Sequence, residues 1–471
     1  MKKVCFLLLF SCQCFISMGQ SVIPKLSAAL QQMEKDSQME AALISLYVID
    51  RNTGAILFEK NSRYGMAPAS TQKLFTSAAA FDILGPKYIY TTTINLYREK
   101  RGDHPGGLIE ILGTGDPSLG SWRFNETKKD RLLADWAKAI GAADSKITWR
   151  RFYVKDVPSD DLLTIPEGYI WQDIGNYYGA GTSLVNWNEN QYDVVFSSGA
   201  PGSAVSVVKV DPIQGQLLLR SNVKAGEAGS GDNAYIYGAP FTKEAFIRGT
   251  IPPGQKAFTI SGSMPDAAYT LAFSLQNELR RVGLQTDSLI YTSRNLALSD
   301  SIRSSLQLIS AINHRSPTLD SLIYWFLRKS INLYGEAFVK TLALQKAQKY
   351  DLENGLELVK DFWVSKGIQT SNLQLMDGSG LSPQNRVTTK ALVQVLQYSS
   401  TRDWYPAFYN ALPEYNGMKM KSGSIGGSRA FAGYHTAKDG KKYVFAFIVN
   451  NYTGSSGDVV KKMYRVLDVL K

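Results

Sequence analysis

Pro68-Ala69-Ser70-Thr71-Gln72-Lys73-Leu74-Phe75-Thr76-Ser77-Ala78-Ala79-Ala80-Phe81 has the Ala and Leu content and the apolar spacing of a buried helix. Ser70 falls at or near the N-terminus of that helix, and Lys73 follows one turn later. Residues three apart on a helix share a face, so these two side chains can meet. Ser-x-x-Lys recurs at Ser206/Lys209 and Ser221/Lys224, but in strand-like segments, where positions three apart point to opposite faces. A serine hydroxyl is a poor nucleophile until a neighbour takes its proton, and a lysine can do so when burial and nearby positive charge lower its pKa. Free N–H groups at the helix start can hold a developing oxyanion. The plain alternative is a capping serine beside a solvated lysine.

Ahead of this helix the pattern predicts a helix over 22–35 and a hairpin, with strands at 42–49 and 55–59 turned by Asp50-Arg51-Asn52-Thr53-Gly54. After it, from 88 to 301, come short alternating stretches (90–96, 203–210, 216–220, 257–261) punctuated by Gly and Pro. They read as a mainly β insertion of two modules, with a helix over 266–282. Helical periodicity returns at 306–312, 321–326, 336–346 and 389–398. Strands at 430–436 and 442–450, joined at Asp439-Gly440, and a helix over 458–471 close the chain. This order predicts an α+β fold, an antiparallel sheet with helices on its faces. Residues 21–88 and 302–471 would build it, and 89–301 would be inserted.

Met1-Lys2-Lys3, an apolar run over 4–16 and Ser17-Met18-Gly19-Gln20 have the layout of a cleaved signal peptide over 1–20. The expected product is exported and periplasmic; the alternative is a lipoprotein anchored through Cys12. Cys5, Cys12 and Cys14 all lie in this leader, so cleavage leaves no thiol, disulfide or cysteine metal ligand. No later segment has the roughly 18 uninterrupted apolar residues of a membrane helix. A formal charge of +11 suits an anionic envelope polymer, and no basic run or base-stacking motif points to nucleic acid. Gly-x-Ser-x-Gly and paired His-x-x-x-His are absent and only His104, His314 and His435 exist, which disfavours a Ser-His-Asp hydrolase and a metalloenzyme. Asp116, in Gly115-Asp116-Pro117, reads as a turn former. No cofactor is implied.

Ser330-Ile331-Asn332 falls between an aromatic helical stretch and the helix beginning Tyr334-Gly335-Glu336, and Lys421-Ser422-Gly423 is the only Lys-Ser/Thr-Gly in the chain. In order with Ser70, they match the serine, Ser-Asp-Asn and Lys-Thr-Gly set of penicillin-interacting enzymes. With the long interval between Ser70 and Ser330, and with Gly113-Thr114-Gly115-Asp116-Pro117-Ser118-Leu119 and Asp377-Gly378-Ser379-Gly380-Leu381-Ser382, the chain resembles the low-molecular-mass class C penicillin-binding proteins, the D-alanyl-D-alanine carboxypeptidases and endopeptidases.

That resemblance implies a β-lactamase/transpeptidase-like domain acting on peptidoglycan stem peptides and blocked by β-lactams. Ser70 would attack the carbonyl between two D-alanines while Lys73 accepts its proton. Ser330 would relay a proton to the leaving amine, and Asn332 would hold Lys73 and the substrate amide. Lys421, with Ser422 and Ser424, would bind the terminal carboxylate, and Gly423 would let the strand approach. The N–H groups of Ser70 and Ser424 would form the oxyanion hole. Trp171-Gln172-Asp173-Ile174 with Tyr178 looks like the segment that meets the diamino acid of the stem peptide, Asp173 pairing with its ammonium group or else capping a loop. The chain departs from the pattern at Ile331, Ser422, Pro383 and Gly426. Two rival readings keep the fold: a non-catalytic wall-binding protein, and a β-lactamase- or esterase-like hydrolase.

Overall fold

The computed structural model describes residues 22–100, 106–158 and 163–471. The leader expected over 1–20, with its three cysteines, and His104 lie outside the described residues. The strands Leu43–Asp50 and Lys442–Asn450 pair antiparallel along their whole length, Leu43 opposite Asn450 and Asp50 opposite Tyr443. Both are apolar on both faces because both faces are covered. Leu46, Val48, Phe445, Phe447 and Val449 pack with the helices Val22–Glu34 and Ser456–Leu467. The alternate residues Tyr47, Ile49, Val444, Ala446 and Ile448 point the other way, into the core that includes the helices Lys73–Leu84 and Thr389–Ser399.

The full sheet is antiparallel, in the order Glu414–Tyr415, Met418–Ile425, Ser428–Thr436, Lys442–Asn450, Leu43–Asp50, Ile56–Lys60. Every residue from Lys73 to Phe81 is buried, since four helices surround this segment: Leu319–Lys329, Asn332–Ala347, Leu352–Ser365 and Thr389–Ser399. A helix enclosed on all sides is apolar on all sides, so a lysine there needs a specific reason. This is the α+β architecture read from the sequence.

The insertion holds a five-stranded mixed sheet in the order Thr286–Thr292, Thr148–Lys155, Gly106–Leu112, Thr91–Glu99, Leu306–Arg315. Smaller sheets share one hydrophobic core with it, in which Trp149, Phe152, Trp187, Tyr192, Phe196 and Ile247 are buried. The chain leaves and re-enters the part built on the six-stranded sheet at adjacent points: Ser316 N donates to Tyr90 O (3.1 Å) and Leu319 N to Tyr88 O (2.9 Å).

Two expectations change here. Leu306–Arg315, expected as a helix over 306–312, is an edge strand paired with Thr91–Glu99, so the inserted sheet extends past the expected end at 301. Lys129–Ala143 is a long helix in the region expected to be mainly β, with Leu132, Leu133, Trp136, Ala137 and Ile140 forming its buried face.

Candidate active site

Ser70 lies in the 3-10 turn Ala69–Gln72 that runs directly into the helix Lys73–Leu84. The residue before it, Ala69, has φ +46°, a left-handed conformation costly for a residue with a Cβ. The surroundings impose it. A Cβ on Gly380 would lie 2.0 Å from the Ala69 carbonyl oxygen, and one on Gly423 would lie 2.4 Å from that of Pro68. The backbone ahead of Ser70 is thus wedged between the Gly380 loop and the Met418–Ile425 strand, and only glycine fits at either contact.

Lys73 is fully buried. Its Nζ lies 3.0 Å from Ser70 Oγ, 2.6 Å from Asn332 Oδ1 and 2.7 Å from the Ser379 carbonyl oxygen. The Asn332 amide has one orientation, because its Nδ2 donates to the Tyr178 carbonyl (2.8 Å). Two of the three partners of Nζ can therefore only accept. An ammonium donates to all three, whereas a neutral amine has two N–H donors and one lone pair, so in the free-base form the donors go to Asn332 and Ser379 and the lone pair is left for the Ser70 hydroxyl. Burial pushes the Lys73 ammonium down to about 7, against the opposing pull of the Asp377 and Glu336 carboxylates. At neutral pH a substantial fraction of Lys73 is thus free base, already aligned on Ser70.

Those carboxylates are themselves fully buried. Asp377 is caged: Oδ1 accepts from the Ser379 and Gly380 N–H groups (3.1 and 2.5 Å), and Oδ2 from Ser382 N–H (2.6 Å) and Asn385 Nδ2 (3.1 Å). Glu336 accepts from Gly378 N–H (2.8 Å) and from the hydroxyl of Tyr169, which reaches in from the insertion (3.0 Å) and also contacts Ser379 Oγ (3.1 Å). Burial first, then mutual repulsion, raises the Glu336 carboxyl, and burial raises that of Asp377.

Ser330 takes a left-handed conformation, φ +58°, between the helices Leu319–Lys329 and Asn332–Ala347. It is half-buried. Ile331, where the family pattern has an acidic residue, packs against the hydrophobic core. Lys421 is buried, and its Nζ donates to the Ser422 carbonyl oxygen (2.8 Å). Burial, helped by repulsion from Lys73, holds its ammonium well below the usual lysine range.

Strand register puts Lys421 opposite Ala432 and Gly423 opposite Ala430, on the side of the Lys73 helix; Ser422 and Ser424 fall on the other side. There the Ser424 hydroxyl contacts the Arg429 guanidinium. Asp173 accepts from the Tyr178 hydroxyl (3.3 Å), and burial raises its carboxyl. Since Tyr178 holds Asn332 through its carbonyl, the insertion's Asp173 segment is joined directly to the catalytic cluster. Asp116 closes the expected turn, its Oδ1 accepting from the Ser118 N–H (2.8 Å) and hydroxyl (2.6 Å).

The structure adds Glu336, Asp377, Tyr169 and the Ser379 carbonyl to the residues expected around Ser70. Glu336 carried a signal, since it follows Asn332 by four positions on one helix and so shares its face. Tyr169 carried none.

The pattern of the D-Ala-D-Ala carboxypeptidase 3 (S13) family matches residues 26–414. A D-alanyl-D-alanine carboxypeptidase of an Actinomadura species is 22% identical over 447 residues, covering 89% of this chain and 80% of that protein. The D-alanyl-D-alanine carboxypeptidase DacB of Haemophilus influenzae is 23% identical over 437 residues, covering 88% and 86%. The crystal structure of penicillin binding protein 4 from Haemophilus influenzae has a TM-score of 0.77 to this one at 20% identity, over 95% of this chain and 99% of that one. The fold is thus common to both, and a match that takes in Ser70, Lys73, Ser330 and Asn332 across most of the chain means that it belongs to the D-Ala-D-Ala carboxypeptidase 3 (S13) family.

Proposed function

We propose that the chain is a serine-type D-alanyl-D-alanine carboxypeptidase, with endopeptidase action on cross-linked stem peptides, working on peptidoglycan outside the cytoplasm and inhibited by penicillin. The observation that carries this reading is the buried Lys73 Nζ held 3.0 Å from Ser70 Oγ, whose free-base form has a lone pair for the Ser70 proton. Ser70 Oγ attacks the carbonyl carbon of the penultimate D-alanine as its proton passes to Lys73 Nζ. The N–H groups of Ser70 and Ser424 receive the oxyanion. The C–N bond then breaks, and the departing amine of the terminal D-alanine takes a proton relayed through Ser330. An ester on Ser70 remains, and water hydrolyses it to return the serine.

Lys421 is suited to the terminal carboxylate: a buried amine without a carboxylate partner among the described residues gains one from the substrate. Gly423 keeps the strand close, while the side chains of Ser422 and Ser424, expected beside the carboxylate, stand on the strand's other face. Asp173, half-buried beside Tyr178, is placed to take a side-chain ammonium of the stem peptide. Export fits the 1–20 leader, and no helix among the described residues is long and apolar enough to cross a membrane.

The test is to incubate the chain lacking residues 1–20 with a fluorescent penicillin, beside Ser70→Ala, and follow the label by gel and intact mass. A stable adduct on the wild type alone is expected. Absence of any adduct would sink the enzyme reading, and an adduct lost within seconds would move it to a β-lactamase.

A further inference from the structure

One sheet of the insertion is covered on one face only. It consists of Tyr235–Tyr237, Glu244–Arg248 and Leu218–Ser221. Ile236, Ala245 and Ile247 point into the insertion core. The alternate residues stand on the other face, where Tyr237 is opposite Phe246, Phe246 beside Arg220, and Tyr235 opposite Arg248. Phe246 is 48% exposed and Tyr235 37%. Trp171, 57% exposed, extends the row, its ring 6.3 Å from that of Tyr237.

This row is fixed to the catalytic cluster. Asn176 pairs with the middle strand residue on its inner side, its Oδ1 accepting from Ile236 N–H (3.1 Å), and a Cβ on Gly175 would meet the Ile236 carbonyl at 2.1 Å. The segment from Trp171 to Tyr178 is therefore clamped to the sheet at one end and to Asn332 at the other. Arg220 is tied to Glu244 (3.2 Å), whereas Arg248 has no carboxylate partner among the described residues.

We propose that this face is a docking track for the polymer beyond the scissile peptide: a strand of N-acylated amino sugars bearing carboxylates, seated on the rings of Trp171, Tyr237 and Phe246 with Arg248 taking an acidic group. The proposal rests on the peptidoglycan reading above. Cross-strand side chains stand about 5 Å apart, so neighbouring rings offer a continuous apolar platform. A bare aromatic face of this kind in a soluble domain marks an interaction surface. It has no concavity to enclose a small molecule, and the guanidinium fork suits a carboxylate. The face also adjoins the segment proposed to meet the stem peptide, since Trp171 lies on the same short helix as Asp173.

The experiment compares wild type with Phe246→Ala/Arg248→Ala on two substrates, insoluble peptidoglycan and a soluble pentapeptide ending in D-Ala-D-Ala. It adds co-sedimentation with the polymer in a Ser70→Ala background, and light scattering. The expected result is a fivefold or greater loss of polymer turnover and co-sedimentation, with soluble-peptide kcat/KM and penicillin acylation within twofold of wild type. Unchanged polymer turnover and co-sedimentation overturn the track. So does an equal loss on both substrates, which would mean a damaged catalytic site, and so does a wild-type dimer that the substitutions dissociate, which would assign the face to self-association. Wild type that sediments better than the variant but forms no penicillin adduct would retain the track and remove the carboxypeptidase reading.

Discussion

Replacing Glu336 by glutamine removes a buried charge while keeping the side chain's shape, and so tests how the basicity of Lys73 is set. Glu336 connects to the base through Tyr169 OH (3.0 Å), Ser379 Oγ (3.1 Å) and the Ser379 carbonyl, which accepts from Nζ at 2.7 Å. With a separation of about 8 Å and an effective dielectric of about 20, one full charge is worth about 2 kcal/mol, or about 1.5 pKa units. Burial and repulsion from Asp377 raise the Glu336 carboxyl, so less than a full charge acts on Lys73 and about one unit is the expected change.

The direction follows from the sign of the charge. The carboxylate stabilises the ammonium form of Lys73, so its removal lowers the pKa of the base from about 7 to about 6. More free base is then present at pH 6, but the ammonium formed when Ser70 gives up its proton is less stable. The second-order rate of acylation by a fluorescent penicillin, measured from pH 5 to 9, should therefore show its acid limb about one unit lower and a plateau reduced up to about tenfold, in keeping with general-base behaviour. Tyr169→Phe, which keeps the charge and removes the hydroxyl, should lower the plateau with a smaller shift. An acid limb in Glu336→Gln that stays in place or moves up, with the protein folded, would refute this reasoning.

Asn332→Asp should do the reverse of Glu336→Gln: a carboxylate on the Nζ that Asn332 Oδ1 meets at 2.6 Å holds the proton on Lys73, so the same pH profile should move up by a unit or more. Gly423→Ala puts a methyl 2.4 Å from the Pro68 carbonyl oxygen, forcing the strand off the nucleophile's turn. Since a misplacement of about 1 Å can cost about a hundredfold in rate, acylation should fall by that order while Tm, read by circular dichroism, drops only a few degrees. Asp173→Asn should raise KM for peptides with a free side-chain ammonium and leave penicillin acylation unchanged; equal effects on both probes would remove Asp173 from substrate recognition.

The cluster around Ser70 was legible wherever neighbours in sequence become neighbours in space. Ser70 and Lys73 meet because a helix brings positions three apart together, and 442–450 reads as a strand because each of its faces has its own apolar set. Leu306–Arg315 misled because Leu306, Ile309 and Ile312 repeat at a helical interval. What makes the segment a strand is Thr91–Glu99, more than 200 residues away, with a bulge between Leu308 and Ser310. Lys129–Ala143 was legible in principle, since its buried residues keep the helical period. Tyr169 was not, because nothing local marks a tyrosine of the insertion as the one that enters the catalytic domain's core.

The buried charges of the cleft make sense only with a substrate in view. Lys73 and Lys421 are both buried and Lys73 disfavours the proton of Lys421, while the nearby carboxylates, Asp377 and Glu336, act on Lys73. Burial and Lys73 therefore hold the Lys421 ammonium well below the usual lysine range. On the proposed role of Lys421, an arriving carboxylate would reverse this, drawing a proton onto Lys421 and at once cancelling the charge it creates. The pair so formed would be neutral, as Lys421 was before it, so the lone pair of Lys73 would stay available to Ser70. A peptide ending in an amide could not supply that anion, so on the proposed role of Lys421 such a peptide should be turned over more slowly than one with a free C-terminus, which kcat/KM on the two peptides would check.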